Sequence, residues 1–333
     1  MTATATDPEA APRFPPNHFP RGWFQVAYAD ELAPEAVLPL RYFGRDLVLW
    51  RDAEGAPRLM DAHCLHLGAH LGHGGRVEGT GIRCPFHNWK YDGTGTCVDV
   101  PYSDTVHRNV RLRRYPVLER NGLIMCWWSA TGAEPAWELP VLPEYGSDDW
   151  SDYRRHEWRV QTHWQEMVEN AADTSHFRYL HGAAEVPVID KFDADGPVLR
   201  CLALHVLTTS DGPRPGSIDT LMYGPGWGTV RFIIDGIAET LFAQALTPVD
   251  HGRLHVRFSF LAKGRGARRG LSDGLALEVV KQINADVPIW EHKLYRPRPL
   301  LARGDGPVHA FRRWAEQFDE SAATADRAEV AEA

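Results

Sequence analysis

Two short pairs of metal-ligand residues stand out in the 333-residue sequence. Cys64 and His66 are separated by one residue, and Cys84 and His87 are separated by two. Thiolate and imidazole groups are the ligands that soft and borderline transition metals prefer. Because both members of a pair come from one short loop, each pair can hold a metal ion from one side, and the two pairs together supply four ligands.

Four ligands of this kind suit either a [2Fe–2S] cluster of the Rieske type or a structural zinc ion. In a Rieske cluster two Cys bind one iron and two His bind the other. Zinc pairs are usually separated by two to four residues, and the Cys64-x-His66 pair is shorter than that. Glycine, which lets backbone N–H groups approach cluster sulfurs closely, recurs between the pairs at Gly68, Gly72, Gly74, Gly75, Gly79 and Gly81. The pattern favours a Rieske cluster and electron transfer, with zinc as the alternative.

A second group of candidate ligands lies in the stretch 170–181. Asp173 and His176 are three residues apart, so they share one face of a helix. His181 follows His176 by five residues, which is about 140° around an ideal helix. The helix predicted over 164–179 must therefore end or distort before His181, and Gly182 directly after it fits such an end.

Asp286 is the third candidate ligand, because it interrupts the apolar stripe of a predicted long helix. A buried carboxylate without a partner is costly, so a cation is expected beside it, and Pro288 predicts a kink nearby. With His176 and His181, Asp286 would form the two-His, one-carboxylate set of non-haem Fe(II) oxygenases. Taken singly, the histidines are also compatible with hydrogen-bonded core residues, and Asp286 with a helix cap or an ion-pair partner.

Composition excludes several classes of function. The formal net charge is −8, which disfavours nucleic acid and anionic membranes as partners. The five cysteines show no pairing pattern beyond the two candidate ligands, which predicts reduced thiols. No stretch of eighteen apolar residues is present, and the Ala/Pro-rich N-terminus has no apolar signal region. We therefore expect a cytoplasmic protein without a membrane span.

The order of predicted elements indicates an α+β protein. Short strands with turns fill the first part of the chain, and longer strands followed by a long helix fill the second, which predicts an antiparallel sheet wrapped on that helix. The long helix is predicted to begin at Ser272 or Asp273, and a last helix to run over 308–318. The predicted divisions are a disordered tail (1–18), an all-β domain with the ligand loops (19–135), a Pro-rich linker (136–152), a second domain (153–319) and a frayed tail (320–333).

These motifs resemble those of the Rieske non-haem iron oxygenases, in their terminal oxygenase (alpha) subunits, over nearly the whole chain. The segments 22–28, 66–71, 286–291 and 305–314 are similar to the steroid-acting branch of 3-ketosteroid 9α-hydroxylase oxygenases and Rieske cholesterol 7-desaturases. Two positions at the cluster rim depart from that branch, which often has Pro at Leu65 and Gly at Asn88.

The resemblance implies an N-terminal Rieske domain and a catalytic domain of helix-grip, START-like fold. It implies one [2Fe–2S] Rieske cluster on Cys64, His66, Cys84 and His87, and one mononuclear Fe(II) on His176, His181 and Asp286. Asp173, in a catalytic motif with Asn170, is expected to bridge His87 of one subunit to His176 of its neighbour in a head-to-tail homotrimer.

The resemblance also implies a monooxygenase. Electrons from NAD(P)H are expected to arrive through a ferredoxin, an NAD(P)H-dependent ferredoxin reductase, or both, and O₂ to be used to hydroxylate a C–H bond of a steroid or a similar flat apolar substrate. Desaturation, demethylation and aromatic ring hydroxylation at the same iron are the alternatives. Two alternatives belong to other functional classes. One is a Rieske electron carrier without oxygenase activity, and the other is a zinc-stabilised binding module.

Overall fold

The computed structural model describes residues 13–15, 19–106, 109–209 and 212–320. In the first part of the chain, these described residues contain eleven strands. These are β1 (Gly22–Tyr28), β2 (Val37–Tyr42), β3 (Arg45–Arg51), β4 (Pro57–Asp61), β5 (Arg76–Glu78), β6 (Gly81–Arg83), β7 (Lys90–Tyr91), β8 (Cys97–Asp99), β9 (Arg114–Tyr115), β10 (Val117–Arg120) and β11 (Leu123–Trp128). A short 3₁₀ turn, Ala29–Glu31, follows β1.

These strands form three small antiparallel sheets. Their orders are β1-β11-β10, β2-β3-β4-β9 and β5-β6-β7-β8. The two predicted ligand loops are the connection from β4 to β5 and the connection from β6 to β7. The fully buried residues Met60 of β4 and Ile82 of β6 anchor the strands from which these two loops start.

The second part is built on one seven-stranded antiparallel sheet. Its strands are β12 (Arg154–Val160), β13 (Val188–Asp195), β14 (Val198–Thr209), β15 (Gly212–Tyr223), β16 (Trp227–Ile234), β17 (Ala238–Asp250) and β18 (Arg253–Ala262). Their order in the sheet is β12-β18-β17-β16-β15-β14-β13. Except for β12 at one edge, the strands pair in chain order, as hairpin connections produce.

Within the described residues, four α-helices accompany this sheet: α1 (Trp164–Val168), α2 (Ser175–Tyr179), α3 (Gly266–His292) and α4 (Val308–Glu316). The apolar side of α3 packs on the sheet through residues that include Ala276, Val279 and Trp290. The predicted α+β architecture, with an antiparallel sheet wrapped on a long helix, is therefore confirmed.

The helix predicted over 164–179 is not continuous. It is divided into α1, a 3₁₀ turn at Glu169–Ala171, and α2. The Asp173 carboxylate accepts a hydrogen bond from the Ser175 N–H at 3.1 Å, and the Asp173 carbonyl accepts one from Nδ1 of His176. These local bonds compete with regular helix hydrogen bonding and explain the interruption.

The predicted start of the long helix is also wrong, because α3 begins at Gly266. Ser272 is fully buried inside the helix instead of capping it. Its hydroxyl donates to the Lys263 carbonyl at 3.0 Å, and its own carbonyl accepts from the Thr240 hydroxyl at 2.6 Å. From the sequence alone, a serine that hydrogen-bonds a helix to a sheet cannot be distinguished from a serine that caps the helix.

The stretch predicted as a linker packs tightly against both parts of the protein. Leu139 and Leu142 are buried in a cluster with Trp23 and Trp127 from the small sheets and Trp227 from the large one. The predicted tails lie mostly outside the described residues. Where described, they are held in place: Arg13 donates to the Gln161 carbonyl at 3.2 Å, and the Glu320 carboxylate accepts from the Ala130 N–H at 2.7 Å. The domain boundaries stay predictions.

Candidate metal centres

The two loops that carry the cysteine–histidine pairs are closed by their own backbone hydrogen bonds. The Cys64 N–H donates to the Ala69 carbonyl at 2.9 Å, and the Cys84 N–H donates to the Trp89 carbonyl at 2.8 Å. Both cysteines are buried, and neither forms a disulfide. Each loop therefore holds one buried, reduced cysteine that is able to bind a metal.

The two histidines of these loops lie side by side. The ring centroids of His66 and His87 are 4.7 Å apart, and the His66 ring is stacked on the Trp89 indole at 4.7 Å with an interplanar angle of 3°. Nδ1 of His66 is buried and has no hydrogen-bond partner in the protein. A buried ring nitrogen without a partner is costly unless a metal takes its lone pair, so this arrangement fits a cluster ligand.

Tyr91 contributes to this site, and the sequence did not identify it. Its hydroxyl lies 3.2 Å from Sγ of Cys64 and accepts a hydrogen bond from the Leu65 N–H at 3.0 Å. Burial raises the pKa of Tyr91 and that of the Cys64 thiol. The phenol therefore stays protonated and can donate to the sulfur, which stabilises negative charge there. Its position on β7 follows from strand register, for which the sequence carries no motif.

Asn88, one of the two departures at the cluster rim, has a backbone φ of 59°. Glycine takes this left-handed conformation at no steric cost, and asparagine is one of the few other residues that tolerate it. The Asn88 side chain accepts a hydrogen bond from Arg76 at 2.9 Å, and its carbonyl accepts one from Arg83 at 2.8 Å. Asn88 therefore preserves the turn that a glycine would form, and its side chain adds a hydrogen bond to Arg76.

The second group of predicted ligands converges on one point between α2 and α3. Possible ligand atoms of His176, His181 and Asp286 all lie within 4.8 Å of one another. Nε2 of His181 is 3.3 Å from Oδ1 of Asp286, and 3% and 6% of these two side chains are exposed. Among the described residues, no lysine or arginine forms an ion pair with Asp286. A buried carboxylate beside two imidazoles fits a divalent cation such as Fe(II).

The local backbone places both imidazoles. α2 ends just before His181, and Gly182 follows with a φ of 74°, which is the left-handed helix end that Gly182 predicts. The Nδ1–H of His176 donates to the Asp173 carbonyl, which leaves Nε2 free for a metal. Burial lowers the pKa of His176, so the ring is neutral and able to bind a metal at pH 7.

Asp173 and Asn170 occupy different positions beside this site. The Asp173 side chain is 44% exposed, and one carboxylate oxygen is 3.9 Å from Nδ1 of His176. Asn170 lines the cavity that the three candidate ligands also line. Asp173 is therefore accessible from outside the subunit, whereas Asn170 faces the interior.

The cavity at the three candidate ligands lies between the large sheet and α3. Its sheet wall is mainly apolar and includes Ile218, Phe232 and Phe242, and its helix wall includes Val279 and Ile283. Its volume is about 100 Å³, below the roughly 300–1,000 Å³ of typical ligand pockets. A ligand of that size must displace side chains or extend beyond these walls.

Two buried glutamates near the site form ion pairs with basic residues that are distant in the sequence. Glu166 pairs with Lys293, and Glu169 pairs with Arg312 at 2.6 Å. Neither partner is a neighbour in the sequence, so no spacing in the sequence indicates these ion pairs. Together they fasten α1 and the following turn to the C-terminal part of the chain.

Two family models match the chain. The model described as Rieske [2Fe-2S] domain matches residues 22–116. The model described as 3-ketosteroid 9alpha-hydroxylase C-terminal domain matches residues 126–318. Together they include all nine candidate site residues named from the sequence.

Curated relatives cover nearly the same range. A 3-ketosteroid-9-alpha-monooxygenase, oxygenase component, from Rhodococcus rhodochrous is 31% identical over 91% of this chain and 84% of its own length. A cholesterol 7-desaturase from Caenorhabditis elegans is 32% identical over 91% of this chain and 77% of its own length.

Solved structures show the same fold. NdmA of Pseudomonas putida CBB5 with caffeine has a TM-score of 0.73 at 21% identity, covering 90% of each chain. Dicamba monooxygenase bound to dicamba has a TM-score of 0.71 at 19% identity, covering 91% of this chain and 98% of its own. Within the part of the chain that the structure describes, no helix is both long and apolar enough to cross a membrane.

Proposed function

The chain belongs to the 3-ketosteroid 9α-hydroxylase family of Rieske non-haem iron oxygenases, and on this premise we propose that it hydroxylates a C–H bond of a steroid or a similar flat apolar molecule. It is a monooxygenase with a [2Fe–2S] cluster and a non-haem iron. Two kinds of relative, named as a 3-ketosteroid monooxygenase and as a cholesterol desaturase, support a steroid substrate.

We propose Cys64, His66, Cys84 and His87 as the cluster ligands and His176, His181 and Asp286 as the ligands of the mononuclear iron. The unpartnered Nδ1 of His66 supports the first set. The buried convergence of two imidazoles with one carboxylate supports the second. Three protein ligands leave positions on the iron open, and the iron supplies the activation of O₂ for attack on a C–H bond.

The observation that carries the proposal is the position of the three candidate ligands in the wall of an apolar cavity. Two of the cavity walls, the sheet and α3, face each other, so a flat molecule fits between them better than a globular one. Apolar walls bind ring carbons through burial. They also exclude water from the reacting C–H bond.

Each side chain at the iron site has a separate task. The Asp173 carbonyl holds the His176 ring in the tautomer that presents Nε2. Asp286 supplies one negative charge, which lowers the net charge of a bound divalent cation in a buried site. Aromatic residues of the sheet, such as Phe242 and Phe258, orient the substrate by packing on it.

An oxygenase component of this kind requires an electron-transfer partner. We propose that a ferredoxin, an NAD(P)H-dependent reductase, or both, dock at the cluster rim, where Leu65, Leu67 and Phe86 are exposed. We also propose a head-to-tail homotrimer in which the exposed Asp173 carboxylate links His87 of one subunit to His176 of the next. A closed ring of identical heterologous contacts is consistent with such a trimer.

The test is metal analysis followed by turnover. Anaerobically purified protein should contain about three iron atoms and about two acid-labile sulfides per chain, with a red-brown colour. With an electron donor it should convert a 3-ketosteroid to a product that has gained one oxygen atom. A product that has lost two hydrogens would assign desaturation instead. Colourless zinc protein, or no turnover across a steroid panel at full iron content, would contradict the proposal.

A further inference from the structure

His205 has a buried ring nitrogen for which the protein supplies no partner. Among the described residues, three histidines share this property: His66, His181 and His205. The first two belong to the proposed metal centres. His205 is close to neither ligand set in the sequence, and a buried unsatisfied polar atom in a native protein calls for an explanation.

Strand register places His205 on the same face of the sheet as the cavity wall. Along β14, Leu199, Cys201 and Ala203 are buried, whereas Leu204 and Val206 are 43% and 52% exposed. Because side chains alternate between the two faces of a strand, His205 is on the same face as these buried residues; the residue as a whole is half-buried, and its Nε2 atom is buried. Cys201 and Ala203 of that series line the cavity.

Cross-strand pairing gives the distance from the cavity. Ala203 pairs with Ile218, which pairs with Phe232, and all three line the cavity. The next row on this face is His205, Gly216 and Ile234. Two residues along a strand span roughly 6.6–6.8 Å, so the His205 row is the first one beyond the cavity wall.

The absence of a side chain at Gly216 allows the imidazole to lie across the sheet. Nε2 of His205 is 2.8 Å from the point that a Cβ atom on Gly216 would occupy. The ring therefore covers Gly216 on the inner face of the sheet. Burial lowers the pKa of His205, so the ring is neutral, with one nitrogen as a donor and the other as an acceptor.

The volume of the cavity bears on how the substrate can reach His205. A molecule of four fused rings exceeds the space of about 100 Å³ at the candidate ligands. Such a substrate must displace side chains of the wall or extend beyond it, and one direction in which it can extend is past the Ala203 row. Nε2 of His205 is the buried, unpartnered polar atom of the next row in that direction, and His205 also borders a second cavity together with Val188, Leu204 and Ser217.

We infer that His205 hydrogen-bonds an oxygen substituent at the end of the substrate remote from the iron, and that this bond selects which C–H bond reaches the iron. The inference rests on the proposed steroid substrate and assigns a specificity-determining residue to it. His205 takes no part in oxygen activation. Its effect is therefore on the position of the substrate.

The experiment compares variants on matched substrates. Androst-4-ene-3,17-dione carries a ketone at each end, and two analogues each lack one of them. Wild-type enzyme should lose roughly 3- to 30-fold in kcat/KM when the ketone that meets His205 is missing, as expected for one buried hydrogen bond. His205→Phe, which keeps the ring volume, should lose that discrimination and act about equally on the diketone and this analogue.

Two further variants separate recognition from folding. His205→Gln retains a donor and an acceptor and should recover part of the discrimination. Ile234→Val, in the same row but outside the cavity wall, should behave as wild type. Equal losses of His205→Phe on all three substrates, or unchanged discrimination, would overturn the inference. Absence of wild-type turnover on every steroid would instead overturn the proposed function, and the inference with it.

Discussion

Nε2 of His181 and Oδ1 of Asp286 lie 3.3 Å apart in the buried space between the end of α2 and the middle of α3. His176 completes the group within 4.8 Å. Since burial lowers the pKa of His176, this imidazole is neutral at pH 7, and a divalent cation is the partner that best compensates the buried carboxylate.

His176→Ala removes one of these three ligands. We expect the iron content to fall from about three to about two atoms per chain while the red-brown colour is retained, because the cluster ligands are on other loops. Turnover should fall to background. Iron and sulfide analysis with a visible spectrum checks this, and His309→Ala, an exposed histidine on α4, is the control. Bleaching of the cluster would mean that the two sites are wrongly assigned.

Asp173 is tested best by two substitutions. Its carboxylate accepts from the Ser175 N–H, so Asp173→Ala removes this hydrogen bond, worth about 1 kcal/mol, together with the charge. Asp173→Asn keeps an oxygen that can accept the Ser175 hydrogen bond but removes the charge. If the carboxylate links two subunits, both variants should keep their metals and lose roughly 100-fold or more in steady-state turnover.

Single-turnover measurements with pre-reduced Asp173 variants provide the second readout. Hydroxylation of one C–H bond with reduction of the second oxygen atom to water consumes two electrons, of which a mononuclear Fe(II) and the reduced cluster would supply one each. If the Asp173 carboxylate links the two centres, product formation in a single turnover should therefore also be slow in both variants, although their metals are present. Single-turnover transfer at the wild-type rate would contradict the link. Loss of bound iron in Asp173→Asn would contradict the bridging role and assign Asp173 to the iron site itself.

Tyr91→Phe removes one hydroxyl next to Cys64. The hydroxyl lies 3.2 Å from Sγ, and donation to a cluster sulfur favours the reduced state. We expect the cluster to remain and its reduction potential to fall by roughly 20–60 mV, equivalent to one hydrogen bond of about 0.5–1.5 kcal/mol. Redox titration followed by EPR measures the change. An unchanged potential would show that the hydroxyl donates elsewhere.

His255 predicts a pH dependence of stability. It lies between Tyr42 and Glu157, with 2.9 Å from Nδ1 to the Tyr42 hydroxyl and 2.7 Å from Nε2 to the Glu157 carboxylate. Burial, with the Arg257 charge as the next cause, lowers the pKa of His255 to about 4. The unfolded chain, with a pKa of about 6.5, therefore binds the proton first when the solution is acidified.

The contribution of His255 to stability is consequently full above about pH 6.5 and falls as the pH drops towards 4, by at most about 3 kcal/mol. Urea unfolding of wild type and His255→Gln at pH 7.5 and pH 5 measures the difference, with cluster absorbance followed in parallel. The loss on acidification should be smaller in the variant. Equal losses in both proteins would assign the pH dependence to other groups.

The sequence by itself determined the features that are local along the chain. Ligand pairs within single loops, the helix end at Gly182, the alternating long strands and the apolar stripe of α3 all depend on neighbours within a few residues. Spacing or periodicity is therefore enough to predict the α+β fold and to name the candidate ligands. The predicted start of the long helix was wrong because a serine such as Ser272 can either cap a helix or bind it to a neighbouring strand.

Only the tertiary structure decided which distant residues meet. Tyr91 is adjacent to Cys64, and His205 to the cavity wall, because strand register and helix packing bring them together. The sequence named Asp286 and His181 as candidate ligands of one site, but their distance also depends on this packing. These contacts depend on the burial of many side chains at once and on which of several compatible registers buries the most apolar surface. No residue type or spacing in the sequence records that result, so the cavity and the orientation of its polar groups could be seen only after folding.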